Sequence, residues 1–295
     1  MGAVNALATA ERFEAPALRK RPSVLRRFSR NLFAVAALGF LILVIVAAVC
    51  SPVITPYDPN RIVMGATLLP PSADHWLGTD ESGRDEFARL LYGARISLTI
   101  GVVAMLLSVT LGTAIGALAG FFGGIADALT MRLTDAMLSI PIFFFLLTVL
   151  ALFGSAVPTI IIAIGLSSWM TAARVVRAEV LRTINLDYVT AARAHGAGNW
   201  RIVLLHLLPS AVPSMMVAST IGVGQAILTE SALSYLGVGV QPPIASWGNM
   251  LSNAQNYFFP APLLAIWPGM MILFTVLSFN VIGDTARDTL SPYQN

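Results

Sequence analysis

Apolar runs long enough to cross a bilayer recur along this chain, and no other feature of the sequence restricts its fold so tightly. About twenty apolar residues are needed to cross a hydrocarbon core of roughly 30 Å. Six runs are candidates, at 33–53, 96–122, 138–153, 157–173, 211–238 and 262–283. The third and fourth are short and flank Gly154-Ser155-Ala156, where a tight hairpin must reverse the chain. Charged residues make up 11% of the sequence, against about 25% in a soluble domain. The first run follows some thirty polar and basic residues and is too long for a signal-peptide core, so it reads as a retained span. The expectation is an all-α integral membrane protein with six transmembrane helices.

Orientation follows from the arginines and lysine in the connecting segments. With the N-terminus inside, fourteen basic residues fall on the inner side: Arg12, Arg19, Lys20, Arg21, Arg26, Arg27, Arg30, Arg132, Arg174, Arg177, Arg182, Arg193, Arg201 and Arg287. Four fall outside, Arg61, Arg84, Arg89 and Arg95. Both termini are therefore expected in the cytoplasm. The organisation becomes a basic inner tail at 1–32, a first span at 33–53, an outer segment at 54–95, a membrane core at 96–283 and an inner tail at 284–295. Within the core lie an inner loop at 174–210 and an uncharged outer loop at 239–261. The basic residues of 19–30 read as a positive-inside anchor in contact with lipid.

Several functions are excluded by residue usage. Lys20 is the single lysine and no G-x-x-x-x-G-K-[ST] surrounds it, so the chain cannot build a P-loop and any ATP must be bound elsewhere. Cys50 stands alone in an apolar run, which rules out an internal disulfide or a cysteine metal cluster. His195 and His206 lack a surrounding nucleophile or carboxylate set, so no catalytic residue is assigned. Nucleic acid is not an expected partner. The Ala119-Gly120-Phe121-Phe122-Gly123-Gly124 stretch ends a span and reads as an exit turn.

The inner loop contains Asp187-Tyr188-Val189-Thr190-Ala191-Ala192-Arg193-Ala194-His195-Gly196, a short helix halted by glycine. Asn199 is expected to cap a second helix that runs toward Leu208 and Pro209. The outer segment carries Asp58, Asp74, Asp80, Glu81, Asp85 and Glu86, and the set from Asp80 to Glu86 has the short carboxylate spacing that suits a hard cation. The preferred reading is that Asp80 and Asp85 form caps and ion pairs with Arg84 and Arg89, with no metal. His75, beside Trp76, has no second histidine at ligand spacing, and an interfacial or packing role is expected. Glu230 lies deep in the fifth run, where a charge costs at least about 2.5–3.5 kcal/mol at the bilayer centre unless paired or wetted. It lines a path or meets a partner helix, or else sits near the outer interface capping backbone. Gln225 is placed similarly.

The spacing T-A-A-x-x-x-G at 190–196, nine residues, then His206-Leu207-Leu208-Pro209 resembles the cytoplasmic coupling loop of permeases of bacterial ABC importers. In that family the motif reads E-A-A-x-x-x-G, nine residues, I-x-L-P, so Thr190 replaces a glutamate and His206 an isoleucine. Three more stretches are similar to the C-type permease of dipeptide and oligopeptide importers. These are His75-Trp76-Leu77-Gly78-Thr79-Asp80 with Gly83-Arg84-Asp85, Leu233-Ser234-Tyr235-Leu236-Gly237-Val238-Gly239 with Ser246-Trp247-Gly248, and Phe279-Asn280 with Gly283-Asp284 and Arg287-Asp288. The resemblance implies a type I importer permease fold with an extra N-terminal helix, in the bacterial cytoplasmic membrane. It implies a homologous second permease, two ATPase subunits that hold ATP and magnesium, and an extracytoplasmic solute-binding protein. Thr190, Ala191, Ala192, Gly196, Leu208 and Pro209 would form the ATPase-coupling loop, and no cofactor would bind this chain. The cargo would be a dipeptide or oligopeptide, with nickel complexes, glutathione or opines as alternatives in the family. A proton-coupled secondary transporter is the reading from another class, with Glu230 as its one titratable group in a span.

Overall fold

Inside hydrocarbon, peptide N–H and C=O groups have only one another to bond to, so a spanning chain becomes helix or closed barrel. The computed structural model describes residues 28–290, so the tail residues 1–27 and 291–295, with six of the inner basic positions, lie outside the described residues. Among the described residues the one extended pairing is an isolated bridge between Thr79 and Asp85.

Helix α1 (Leu32–Val49) is fastened at both ends by polar side chains. Asn31 Oδ1 accepts from the N–H groups of Phe33 and Ala34 at 3.1 and 3.3 Å, and its Nδ2 donates to Thr285 Oγ1 at 3.1 Å. At the other end Arg95 donates to the carbonyls of Ala48 and Val49, the latter at 2.6 Å. Those carbonyls belong to the last turn, which every helix leaves without intrahelical partners. A short helix α2 (Ser51–Ile54) follows.

Helix α3 (Glu86–Phe122) has 37 residues. At 1.5 Å per residue it is about 55 Å long and overshoots the hydrocarbon core, and it begins ten residues before the expected 96. Helix α6 (Val157–Thr183) lies against it so closely that a Cβ on Gly116 would stand 2.3 Å from the Ala173 carbonyl oxygen. Small residues at such a crossing let two backbones approach, which is how helices gain packing where lipid removes the hydrophobic drive.

The third span differs from the single run expected at 138–153. The chain forms α4 (Gly124–Leu138) and α5 (Ile142–Phe153), bent by 83° at the break. Pro141 has no N–H and steers Ile140 away from helical geometry, which breaks the ladder there. At 12 residues, α5 alone is about 18 Å long.

The inner loop holds α7 (Asp187–Ala194) and α8 (Asn199–Ile202), and one π-helical turn (Val203–Leu207) leads into α9 (Leu208–Tyr235). Helices α10 (Trp247–Ala254) and α11 (Leu263–Leu290) complete the chain. Irregular chain in the expected loop at 174–210 is therefore shorter than anticipated, because α6 continues to Thr183. Likewise α11 runs past the expected end at 283. Five of the described helices are long and apolar enough to span, and the bent pair makes a sixth when counted as one.

Helix α3 is the central post. Leu98 and Met105 pack with Ile227, Trp247 and Val276 of α9, α10 and α11. Ile100 and Ala104 pack with Leu146, Ile160 and Ile164 of α5 and α6. At the Phe122 end Ala117 joins Val176, Val180, Val189, Ile202 and Leu207. Exposed side chains such as Leu43 and Leu106 remain apolar, as a hydrocarbon solvent requires.

Candidate functional site

The two segments singled out by sequence lie at opposite ends of α3: the inner loop beside Phe121 and Ala117, the outer segment at Glu86. In the inner loop, Asp187 in the first turn of α7 and Arg193 in its last complement the helix dipole. The helix ends in a Schellman motif: the Gly196 N–H donates to the Arg193 carbonyl at 2.9 Å and the Ala197 N–H to the Ala192 carbonyl at 3.0 Å. The turn holds Gly196 at φ +82°. One expectation fails here. Gly198, not Asn199, occupies the N-cap of α8, and Asn199 is its first helical residue with no side-chain cap formed. With a two-residue link after Gly196, the chain enters α8 one residue earlier than the cap preference of asparagine implied.

Val189 is the buried anchor of α7. Thr190, Ala191, Arg193 and Tyr188 are exposed, Ala192 is half-buried, and Arg193 reaches back over the Phe121 ring at 5.8 Å. Leu208 is half-buried and Pro209 exposed in the first turn of α9. The result is a short helix pinned by one side chain, with Thr190 and Ala191 exposed between the larger Tyr188 and Arg193. Such a surface can receive a partner closely but offers no chemistry.

The outer segment is knitted by charge. Asp80 Oδ1 accepts from the N–H groups of Ser82 and Arg84 at 2.8 and 2.9 Å, and its Oδ2 accepts from Arg84 Nε at 2.6 Å, with Arg89 Nε 3.4 Å away. Arg84 also donates to Glu81 at 2.9 Å. Asp85 caps α3 at the Ala88 N–H (2.7 Å), and its other oxygen lies 2.8 Å from His75 Nδ1. His75 leans on Tyr57 (4.9 Å between ring centroids) and Trp76 on Phe87 (5.1 Å). The Gly78 carbonyl accepts from the Glu86 N–H, and the Gly83 N–H donates to the Asp80 carbonyl. Among the described residues no group of three or more His, Cys, Asp or Glu is placed to hold a metal ion.

Glu230 is wholly buried within the chain. Ser234 Oγ donates to its Oε1 at 2.7 Å and Ser97 Oγ to its Oε2 at 3.1 Å. Each serine is in turn an acceptor: Ser234 from the Val240 N–H at 2.9 Å, Ser97 from the Trp247 N–H at 3.2 Å. One carboxyl thus joins α9 to α3, to the outer loop and to the start of α10, where Ser246 and Asn249 close a reciprocal capping box. Gln225, a turn and a half earlier, is exposed on α9.

Two contacts escaped the sequence. Asp127 of α4 takes a two-pronged ion pair from Arg177 of α6, at 2.6 Å for Nη2, and Asp135 pairs with Arg174. The partners are 50 and 39 residues apart, so their arginines could be read only as part of the inner positive charge. The same holds for Arg95, whose role at the end of α1 requires two spans to be adjacent.

Residues 112–293 match the family described as binding-protein-dependent transport system inner membrane component. Residues 23–71 match the N-terminal transmembrane domain of oligopeptide transport permease C. The chain is 40% identical to a glutathione transport system permease protein of Pectobacterium atrosepticum, covering 90% of this chain and 89% of the relative. It is 38% identical to a dipeptide transport system permease protein of Bacillus subtilis, covering 96% and 89%. Among solved structures, an inward-facing form of the MetNI methionine ABC transporter superposes with a TM-score of 0.56 at 20% identity, over 69% of this chain and 97% of that one. At that identity the likeness concerns the fold.

Proposed function

We infer the function from one premise: the chain belongs to the family of binding-protein-dependent transport system inner membrane components. It is a membrane-spanning permease of an ATP-binding-cassette importer of the peptide class. The observation that carries the mechanistic reading is α7, a short helix with an exposed face of Thr190, Ala191 and Arg193 at the end of α3 opposite the outer segment. We place that end in the cytoplasm, on the excess of arginine there. Both termini then lie inside.

In this reading α7 docks into a separate ATPase subunit, one for each of two permeases, and ATP and magnesium act on those partners. A solute-binding protein delivers cargo to the outer face. Closure of the ATPases pushes α7, and the spans alternate between inward and outward openings. Val189, at the end of the cluster that includes Val176 and Val180 of α6, is the contact through which the push enters the bundle. The half-helix α4, tied to α6 by Asp127–Arg177 and Asp135–Arg174, moves with it.

The cargo is a short peptide. Glutathione, for whose transport one relative is named, is itself a tripeptide and belongs to the same chemical class. The test is a mild-detergent pull-down on the full-length chain followed by reconstitution. Two ATPases and a second permease should co-purify, and ATP with binding protein should drive uptake of a labelled dipeptide, with glutathione as competitor. Uptake driven by a proton gradient without ATPase subunits would overturn the reading.

A further inference from the structure

We propose that the outer end of this chain carries a pocket for a cationic side chain, a lysine or arginine, presented by the extracytoplasmic solute-binding partner. The proposal rests on the importer reading above and deepens it. Between the end of α2 and the loop before α3 lies a hollow of about 190 Å³, walled by Tyr57, Trp76 and Phe87 with Thr55, Asp74 and Asp85. Its size decides what can enter. Pockets that enclose a whole small ligand run to roughly 300–1,000 Å³, so this one suits the head of a single side chain rather than a peptide cargo.

The lining selects for positive charge. Trp76 is 61% exposed although it is the largest apolar side chain of the segment, and its indole is held by Phe87. Aromatic faces attract ammonium and guanidinium groups. Both oxygens of Asp85 are engaged, by the Ala88 N–H and by His75. Asp74 is exposed and has no hydrogen-bond or ion-pair partner among the described residues. No arginine forms an ion pair with it among the described residues: Arg84 and Arg89 are turned to Asp80, Arg95 to the end of α1, and the exposed Arg61 makes no ion pair. The walls are also pre-set, because His75 is fixed by Asp85 and in turn supports Tyr57. A pre-formed aromatic cleft with a free carboxylate on its rim is complementary to a long cationic side chain arriving from the outside.

The experiment uses the reconstituted complex in liposomes and reads the concentration of binding protein that gives half-maximal stimulation of ATP hydrolysis. Asp74→Asn and Trp76→Ala should each raise it about 2- to 5-fold, with the maximal rate and the assembled complex unchanged. Asp74→Lys should raise it further, and Trp76→Phe should restore most of the loss. Asp74→Asn touches no intrachain contact, so its result does not depend on refolding of the segment. An unchanged half-maximal concentration in both Asp74→Asn and Trp76→Ala overturns the proposal. So does a shift that appears only when phosphatidylethanolamine is present, which would assign the pocket to a lipid amine. Failure of any binding protein to stimulate the unmodified complex would instead remove the importer premise, and this proposal with it.

Discussion

Replacing Gly196 by valine isolates the turn that ends α7, the helix proposed to dock onto an ATPase subunit. The residue sits at φ +82°, and a Cβ built there would meet no atom within 4 Å. The cost of the substitution is therefore backbone strain alone, about 1–3 kcal/mol for a β-branched residue in the left-handed region. The chain can relieve that strain by releasing the two Schellman bonds, Gly196 to Arg193 and Ala197 to Ala192. Little opposes such a release, because Val189 is the one buried side chain of α7. The bundle itself is untouched, so membrane insertion and detergent stability should stay at the wild-type level. Docking, which needs α7 ordered, should weaken by about 5- to 150-fold if the whole strain is felt there. The assay is co-purification of the ATPase at graded concentration, with hydrolysis and uptake measured on the same vesicles. Gly196→Asn should be far milder, since asparagine visits this region, and Thr190→Ala should be mild because Thr190 makes only a 3.4 Å contact to the Leu186 carbonyl within its own helix. Wild-type association and coupling in Gly196→Val would refute the assignment of α7 as the coupling element.

Glu230→Leu should lower the midpoint of thermal unfolding and expose the outer loop to protease, because it strands the Ser97 and Ser234 hydroxyls at about 1–3 kcal/mol each; Glu230→Gln, which keeps an acceptor, should lose less than half as much, and an unaffected leucine variant would refute the joint. Gly116→Leu should separate α3 from α6, since even its Cβ would lie 2.3 Å from the Ala173 carbonyl oxygen, and a loss of about 1–3 kcal/mol or more is expected as reduced yield of folded protein in detergent. In a Cys50→Ser background, cysteines at the exposed positions Asn60 and Asn256 should react with an impermeant thiol reagent from outside, whereas one at Asn199 should not; labelling at Asn199 in sealed cells would reverse the orientation.

Much of this molecule is local in origin and therefore legible in one dimension. A span depends on the transfer of its own residues into hydrocarbon, so five helices and the Gly154 reversal can be read directly from runs of apolar residues. The short helix ending at Gly196 is likewise set by residues within ten positions. What the sequence could not supply is which face of each span turns inward. In lipid both faces are apolar, so no polar period separates buried from exposed along α9, and Glu230 could not be assigned to a path, an interface or the interior. Its burial follows from where Ser97 of α3 stands, 133 residues away. The break at Pro141 is of the same kind. A proline can open a helix or kink one, and the choice here goes with α4 being held along α6 by Asp127–Arg177 and Asp135–Arg174. Transfer energies add along the chain, whereas packing pairs residues that only the folded bundle brings together.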